Sequence, residues 1–75
     1  MARLPHVTAT ELIRVLEKKG FVFRRGKGSH RIYQHLDSGR RVVVPFHRGK
    51  NIPPGTLLNI LHEAGITKEE FQELL

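Results

Sequence analysis

Two glycine-containing turns, at residues 26–28 and 37–39, divide the middle of the chain into three short segments. The first segment has phenylalanines at a spacing of two, and the third has three successive valines, patterns that are both typical of β-strands. The glycine that ends the second turn can adopt positive φ, the conformation that tight hairpin turns need. The sequence therefore predicts three strands joined by turns, at residues 21–25, 29–36 and 40–46.

The register of the second hairpin is predicted from the side chains that have to share a buried face. A three-residue loop at residues 37–39 pairs Leu36 with Arg40 and places Ile32 on the same face as Val42. A two-residue loop would put these aliphatic side chains on opposite faces, so we expect the three-residue loop. In this register, four other side chains point to the opposite face: Tyr33, His35, Val43 and His47.

Helical patterns flank the three predicted strands. Thr8 and Glu11 have the spacing of a capping box, and the apolar side chains after them predict a helix near residues 9–19. Beyond a basic, proline-rich loop, a second apolar stripe of helical spacing ends at Gly65. Another capping-box pattern begins at Thr67 and predicts a short terminal helix.

The order helix, three antiparallel strands, helix and short helix predicts an α+β fold in which helices cover one face of the sheet. A chain of 75 residues is the size of one small domain, so we expect a single domain over residues 1–75. The absence of cysteine excludes disulfides and cysteine-based metal sites. No apolar run approaches the roughly 20 residues of a membrane span, and no signal peptide is apparent, so we expect a cytoplasmic protein.

Positive charge is concentrated in the first two thirds of the chain. Residues 1–50 hold twelve Lys and Arg against three Asp and Glu, a net charge of +9. Residues 51–75 hold one Lys against four Glu, a net charge of −3. This asymmetry predicts a basic working face and a separate acidic end, and it favours nucleic acid as the partner. A surface that is basic without any such function is the alternative.

Several familiar site motifs are excluded by missing residues. Residues 26–31 have neither the Ser or Thr that follows Lys in a P-loop nor the third Gly of a dinucleotide-binding fingerprint. No histidine follows His62 by four residues, so the zinc-protease motif is absent. His30 and His35 are five residues apart in one predicted strand and face opposite ways, a poor geometry for binding one ion. We therefore predict no metal site and no cofactor.

Histidine acid–base chemistry remains as a candidate activity, centred on His30. RNA cleavage needs a base to take the proton of a 2′-hydroxyl and an acid to protonate the leaving oxygen, and imidazole serves either role near neutral pH. Lys27 and Arg31 lie close to His30 in the sequence, and cations stabilise charge that develops on phosphoryl oxygens. The residues alone slightly favour the alternative, an inert, hydrogen-bonded histidine on the core face of the strand end. His47 lies on the other face in the predicted register, which argues against two imidazoles acting as a pair.

Further basic and small residues are candidates for contacts with phosphates. Glycines beside His30 let the backbone approach a phosphate closely. Arg48 and Lys50 precede a predicted helix N-terminus, where backbone amides favour anions. Arg41 either contacts phosphate or keeps its strand solvated. The candidate RNA-binding residues are Lys27, Gly28, Ser29, Arg31, Arg41, His47, Arg48 and Lys50.

Three segments of the chain resemble a known family. They are ELIRVLEKKGFVFRRG, GKGSHRIYQH and GRRVVVPFHRGKNIPPGTLLNILHEAGIT. Their most specific elements are Gly-Ser-His at 28–30, Val-Pro-Phe-His at 44–47 and Pro-Gly-Thr at 54–56. In this order, over roughly Thr10 to Phe71, they are similar to the HicA/YcfA family of toxin endoribonucleases.

This resemblance implies a fold, an activity and two partners. The implied fold is like that of a double-stranded-RNA-binding domain, α-β-β-β-α, which agrees with the predicted order of elements. The implied activity is that of an mRNA interferase, a metal-independent ribonuclease that arrests translation, and its catalytic residue is the histidine of the Gly-Ser-His motif, here His30. The implied partners are mRNA and a HicB-like antitoxin that masks the active site. His47 is left as a supporting candidate.

Two other functions stay open at this point. A small RNA-binding module would bind RNA, with a preference for duplex, and would not cut it. An interaction domain would use its basic face to bind an acidic protein. The second of these coexists with catalysis, because an antitoxin can compete with RNA for the same cations.

Overall fold

The computed structural model describes residues 4–75, which form three helices and a three-stranded sheet. In chain order the elements are α1 (Ala9–Lys18), β1 (Phe21–Lys27), β2 (His30–His35), β3 (Arg41–Pro45), α2 (Pro54–Ala64) and α3 (Lys68–Leu74). The strands are antiparallel, in the order β1-β2-β3. The predicted α+β fold, α-β-β-β-α with a short C-terminal helix, is confirmed. None of the helices in the described range has the length and apolar character to cross a bilayer.

Both predicted threonine caps begin a helix. The Thr8 hydroxyl accepts a hydrogen bond from the Glu11 amide at 3.3 Å, and the Glu11 carboxylate accepts one from the Thr8 amide at 2.9 Å, which completes the capping box. The Thr67 hydroxyl likewise accepts from the Glu70 amide at 3.1 Å. The prediction of a second complete box is wrong, because the Glu70 carboxylate instead pairs with Lys19 Nζ at 2.5 Å. The hydrogen bond from Lys19 lowers the pKa of Glu70 and joins α3 to the end of α1.

The helices pack on one face of the sheet, and the core lies between these two layers. Helices α1 and α2 both contact β3, and α1 also contacts β1. Helix α3 packs against α1 and contributes Phe71, whose side chain is fully buried. The other large, fully buried side chains belong to α1, β3, α2 and the segment before α1; they are Val7, Leu12, Val15, Leu16, Val42, Val44, Leu57 and Leu61.

The β2–β3 hairpin differs by one residue from the predicted register. Tyr33 lies opposite Val42. The His35 amide donates to the Arg40 carbonyl oxygen at 2.8 Å, so the loop is one residue longer than predicted and includes Leu36. The predicted pairing of Leu36 with Arg40 is therefore wrong, and so are the strand faces that depended on it.

Burial of a tyrosine ring accounts for the observed register. Tyr33 is 4% exposed and lies in the core, whereas Leu36 is 70% exposed in the loop. An aromatic ring contributes a large apolar area to a core while its hydroxyl reaches a polar partner at the edge. The observed register keeps Val42 and Val44 on the buried face and replaces two aliphatic side chains there with this ring. Ile32 then lies on the open face of the sheet, the face that the helices do not cover.

Strand β1 contains a bulge at Arg24 that inverts its side-chain alternation. Phe23 lies opposite Tyr33, but the next pair is Arg25 with Ile32, so Arg24 is the extra residue. The phenylalanines before the bulge share the helix-covered face, and their rings contact side chains of β2 there. The basic residues that alternate after the bulge share the open face with their β2 partners.

The first turn is shorter than predicted. Strand β1 continues through Lys27, so Gly26 belongs to the strand and the turn consists of Gly28 and Ser29. Gly28 has a φ of +60°, the left-handed conformation that a two-residue hairpin turn requires of its first residue. In consequence, Lys27 and His30 are direct partners at the end of the hairpin.

Candidate functional site

His30 lies at the end of the central strand, on the open face. It is the first residue of β2, and its partners are Lys27 on β1 and Pro45 on β3. The residue is exposed to solvent, and within residues 4–75 its ring has no hydrogen-bond or ionic partner. The alternative of a hydrogen-bonded histidine on the core face is therefore excluded. An exposed, unpaired imidazole is free to exchange a proton with a bound substrate.

Two basic side chains share the open face with His30. Lys27 lies directly opposite, and residues paired in this way have Cβ atoms about 5 Å apart. Arg25 lies opposite Ile32, which is two positions along β2 and on the same face as His30. The acidic residues of the chain all lie outside the three strands. The imidazole is therefore in an environment of positive charge, which attracts a phosphate.

The turn beside His30 brings two sequence motifs together. A Cβ added at Gly28 would meet no atom within 4 Å, so a ligand can reach the backbone there. The Ser29 carbonyl oxygen accepts a hydrogen bond from the Phe46 amide at 2.6 Å, which holds the end of β3 beside the turn. The segments 28–30 and 44–47, which are distant in the sequence, are therefore neighbours in space.

Arg31 lies on the opposite face of the sheet from His30. Its guanidinium is 3.9 Å from the centroid of the Phe46 ring and also lies near the Tyr33 hydroxyl. Burial of the hydroxyl, together with the negative charge of Glu17, raises the pKa of Tyr33, and Arg31 partly offsets this effect. Arg31 is thus adjacent to His30 in the sequence but separated from it by the sheet.

The remaining candidate RNA-binding residues lie in two other parts of the structure. Arg41 begins β3 on the open face, opposite the residue four positions along β2 from His30. His47 and Lys50 line a cavity of about 190 Å³ beside the start of α2, and Arg48 is exposed in the turn between them. The structure therefore groups the predicted residues into a turn cluster with His30 (Lys27, Gly28 and Ser29), a loop cluster (His47, Arg48 and Lys50), and Arg31 and Arg41 apart from both.

The loop cluster adjoins the His30 site through β3. Pro45, the β3 partner of His30, lines the same cavity as His47. Strand β3 ends at Pro45, so strand alternation does not determine which way the His47 ring faces. The predicted register that placed His30 and His47 on opposite faces is wrong. Helix α2 begins beside this cavity, and its cap residue Pro53 gives the first helical amides no side-chain acceptor.

His35 has a structural role that the sequence analysis missed. Its Nδ1 accepts hydrogen bonds from the amides of Asp37 at 3.2 Å and Ser38 at 3.0 Å, which requires an unprotonated Nδ1. The ring also packs edge-on against Phe21, with centroids 5.1 Å apart. An acceptor side chain two and three residues before the amides of a turn is the local pattern that could have indicated this role. Of the two histidines in the segment 26–35, His35 is engaged by these contacts, whereas the His30 ring has no partner within residues 4–75.

His35→Asn is expected to keep the β2–β3 loop intact, because the asparagine oxygen can accept hydrogen bonds from the same two amides. His35→Ala should lower the free energy of unfolding by about 1 kcal/mol, since the exposed amides then exchange a fixed acceptor for water. Urea unfolding of both variants would measure the difference. If the two variants are equally destabilised, the ring contributes through its packing on Phe21 and not through its hydrogen bonds.

Other basic side chains are engaged at helix ends and are not part of the site. Arg40 Nη1 donates to the Glu63 carbonyl oxygen at 3.1 Å, near the end of α2. Lys18 Nζ donates to the Leu74 carbonyl oxygen at 2.6 Å, at the end of α3. Carbonyl groups at helix C-termini lack helical partners and favour cations. Of the two arginines that follow Gly39, only Arg41 therefore faces the open side of the sheet.

The candidate site is an exposed surface around His30. Two larger cavities, of about 240 and 320 Å³, are lined by the helices and the segments that flank them. Across the described part of the chain, no three or more His, Asp or Glu side chains are grouped so that they could hold a metal ion. The chemistry available on the open face is therefore that of an imidazole, ammonium and guanidinium groups, and backbone amides.

Comparison with models of known protein families identifies the family of this chain. A family model described as the HicA toxin of bacterial toxin–antitoxin systems matches residues 9–66. The chain belongs to the HicA toxin family. As a member of the HicA toxin family, it is the toxin of a toxin–antitoxin system, which implies an antitoxin as its partner. The matched range contains α1, the whole sheet and α2, and it ends before α3. A search of curated proteins finds no match.

Proposed function

We propose that this member of the HicA toxin family is an endoribonuclease that cleaves mRNA by acid–base catalysis at His30 and thereby arrests translation. One observation carries the proposal: His30 is exposed and unpaired within the described residues, opposite Lys27, on a sheet whose strands contain no acidic residue. A fold with such a face attracts RNA by charge, and the imidazole supplies the group that moves protons.

The proposed reaction begins at a ribose 2′-hydroxyl. A base removes its proton, the 2′-oxygen bonds to the adjacent phosphorus, and the bond from phosphorus to the 5′-oxygen breaks as an acid protonates that oxygen. The products are a 2′,3′-cyclic phosphate and a 5′-hydroxyl. His30 is one of the two proton-transfer groups, and His47, a cation or water provides the other. Lys27 stabilises the charge that develops on the phosphoryl oxygens, and these steps require no metal ion.

The turn cluster and the loop cluster supply contacts to the RNA backbone in this proposal. The turn at Gly28 and Ser29, in which Gly28 is exposed, lets a phosphate approach main-chain groups beside His30. Arg48 and Lys50 hold a neighbouring phosphate near the uncapped start of α2, where backbone amides also favour anions. A HicB-like antitoxin neutralises the toxin by covering the open face with acidic groups that compete for these cations.

Incubation of the purified protein with one oligonucleotide made as RNA and as DNA tests the activity. With EDTA present, we expect the RNA to be shortened and the DNA to stay intact, because only RNA has the attacking 2′-hydroxyl. A single 2′-deoxy substitution on the 5′ side of the main cut should remove that cut and leave the others. The products should end in a cyclic phosphate.

The alternative function, a non-catalytic RNA-binding module, gives a different result in the same experiment. Such a module would shift RNA in a gel without shortening it, and it would prefer duplex to single strands. Cleavage that persists at the 2′-deoxy position would contradict the proposed mechanism, because the attacking group would then have to be water.

A further inference from the structure

The open face can be defined residue by residue from the strand register. The bulge at Arg24 turns the basic end of β1 toward this face, and strand pairing places one side chain of β2 and one of β3 beside each of these positions. The side chains that share the face are Val22, Arg25, Lys27, His30, Ile32, Gln34, Arg41, Val43 and Pro45.

The charge on the open face has one sign. Arg25, Lys27 and Arg41 are all exposed. The seven acidic residues lie in the helices or in the β2–β3 loop, so none belongs to a strand. Within the described residues, none of these three cations is held by an ion pair or a side-chain hydrogen bond. A surface of this kind attracts a polyanion such as the phosphate backbone of RNA.

Apolar contact on the open face comes from a few aliphatic side chains, two of them at its centre. Ile32 and Val43 are direct partners there, and Val43 is 43% exposed. Together with Val22, which lies opposite Gln34, these side chains are a small patch compared with the apolar core of a stable protein interface. They are suited to contact with a sugar or the face of a base. Since the aromatic rings of the sheet lie on its helix-covered face, strong base stacking is not available on the open face.

The dimensions of the open face favour one nucleic-acid strand over two. Arg41 is opposite a position four residues along β2 from His30, which corresponds to about 13 Å at about 3.3 Å per residue. Three strands at about 4.8 Å spacing make the face about 10 Å wide. Domains that bind duplex RNA contact two successive minor grooves over about 16 base pairs. A surface of about 10 by 13 Å reaches one strand only.

We infer that the open face binds a single strand of RNA along a path from His30 to Arg41, with Arg25 and Arg41 as phosphate-binding residues. This inference rests on the proposed function, because it takes RNA as the substrate. The strand crosses the face diagonally, its phosphates contact Arg25 and Arg41, and its sugars or bases contact Ile32 and Val43. The scissile phosphate lies at the His30 end, beside Lys27.

Single substitutions of Arg25 and Arg41 by glutamine test this path. Binding of a labelled single-stranded RNA is measured in the His30→Ala background, across a range of KCl concentrations, with Arg14→Gln as the matched control. Arg14 is an exposed arginine on α1, so the same charge is removed away from the open face. We expect each open-face variant to weaken binding about three- to tenfold and to reduce the salt slope by about 0.7, with no change for Arg14→Gln.

The second measurement is the binding of duplex RNA of matched sequence by the His30→Ala protein. Weaker binding of the duplex than of the single strand is expected. Affinities for single strands that are equal in all three variants, or a duplex that binds as tightly as the single strand, would overturn the inferred path. If the open-face variants lose binding while the wild-type protein cuts no RNA, the path stands and the nuclease proposal is the part that fails.

Discussion

His30→Ala is expected to reduce the rate of RNA cleavage by about 10²- to 10⁴-fold, the contribution usual for one general acid or base. The side chain is exposed at the end of β2 and has no partner within residues 4–75, so its removal should leave the stability of the fold unchanged. RNA binding should also remain, because the cations of the open face are retained. The measurement is the initial rate of cleavage of a labelled single-stranded RNA, with thermal unfolding recorded in parallel.

His62→Ala is the matched control for this prediction, because His62 is an exposed histidine on α2, away from the sheet. It should cleave RNA at the wild-type rate. In cells, expression of the wild type and of the His62 variant should arrest growth, whereas the His30 variant should not. Cleavage by His30→Ala at the wild-type rate would remove His30 from the mechanism and leave the basic surface as a binding site only.

Phe71→Ala is expected to lower the free energy of unfolding by about 3–5 kcal/mol, the usual cost of replacing a buried phenylalanine by alanine. The ring is fully buried, although α3 lies beyond the range that the HicA family model matches. At 0.05–0.15 kcal/mol per residue, a domain of this length has a total stability of about 4–11 kcal/mol, so the variant should lose at least about a quarter of that stability.

Chemical unfolding followed by circular dichroism would measure this loss, with Phe71→Leu as a milder change and Glu73→Ala as an exposed control on the same helix. The leucine variant should lose about 1–2 kcal/mol, and the Glu73 variant less than about 0.5 kcal/mol. A Phe71→Ala protein that unfolds at the same urea concentration as the wild type would show that α3 is not part of the cooperative core.

The order of elements could be predicted from the sequence because its signals are local. Capping patterns at Thr8 and Thr67, helical apolar stripes and glycine turns each depend on a few neighbouring residues. The helices begin where they were predicted, whereas the bounds of both turns differ by one or two residues. The β2–β3 register could not be predicted in the same way. It depends on whether the core accepts Tyr33 or two aliphatic side chains, and that is decided by the packing of helices from distant parts of the chain.

The sequence indicated the central residue of the candidate site, His30, but not all of the residues around it. His30 could be singled out because it follows a glycine turn among basic residues, and its exposure agrees with that interpretation. Arg25 was missed because simple alternation from Phe21 and Phe23 places it on the helix-covered face. Only the bulge at Arg24, which arises from pairing with β2, turns it to the open face. Arg31 was predicted to act beside His30 because it is the next residue in the sequence, but its side chain lies on the opposite face of the sheet, over the Phe46 ring.

The bulge in β1 also bears on how such a toxin can diversify. The buried side chains of the core and the side chains exposed to solvent come from the same three strands, but they project from opposite sides of the sheet. Evolution can therefore exchange residues on the outer side, and so alter what this surface binds, without repacking the interior. An insertion or deletion within β1 would disrupt the interior, because a shift of one position would interchange the buried and the exposed side chains.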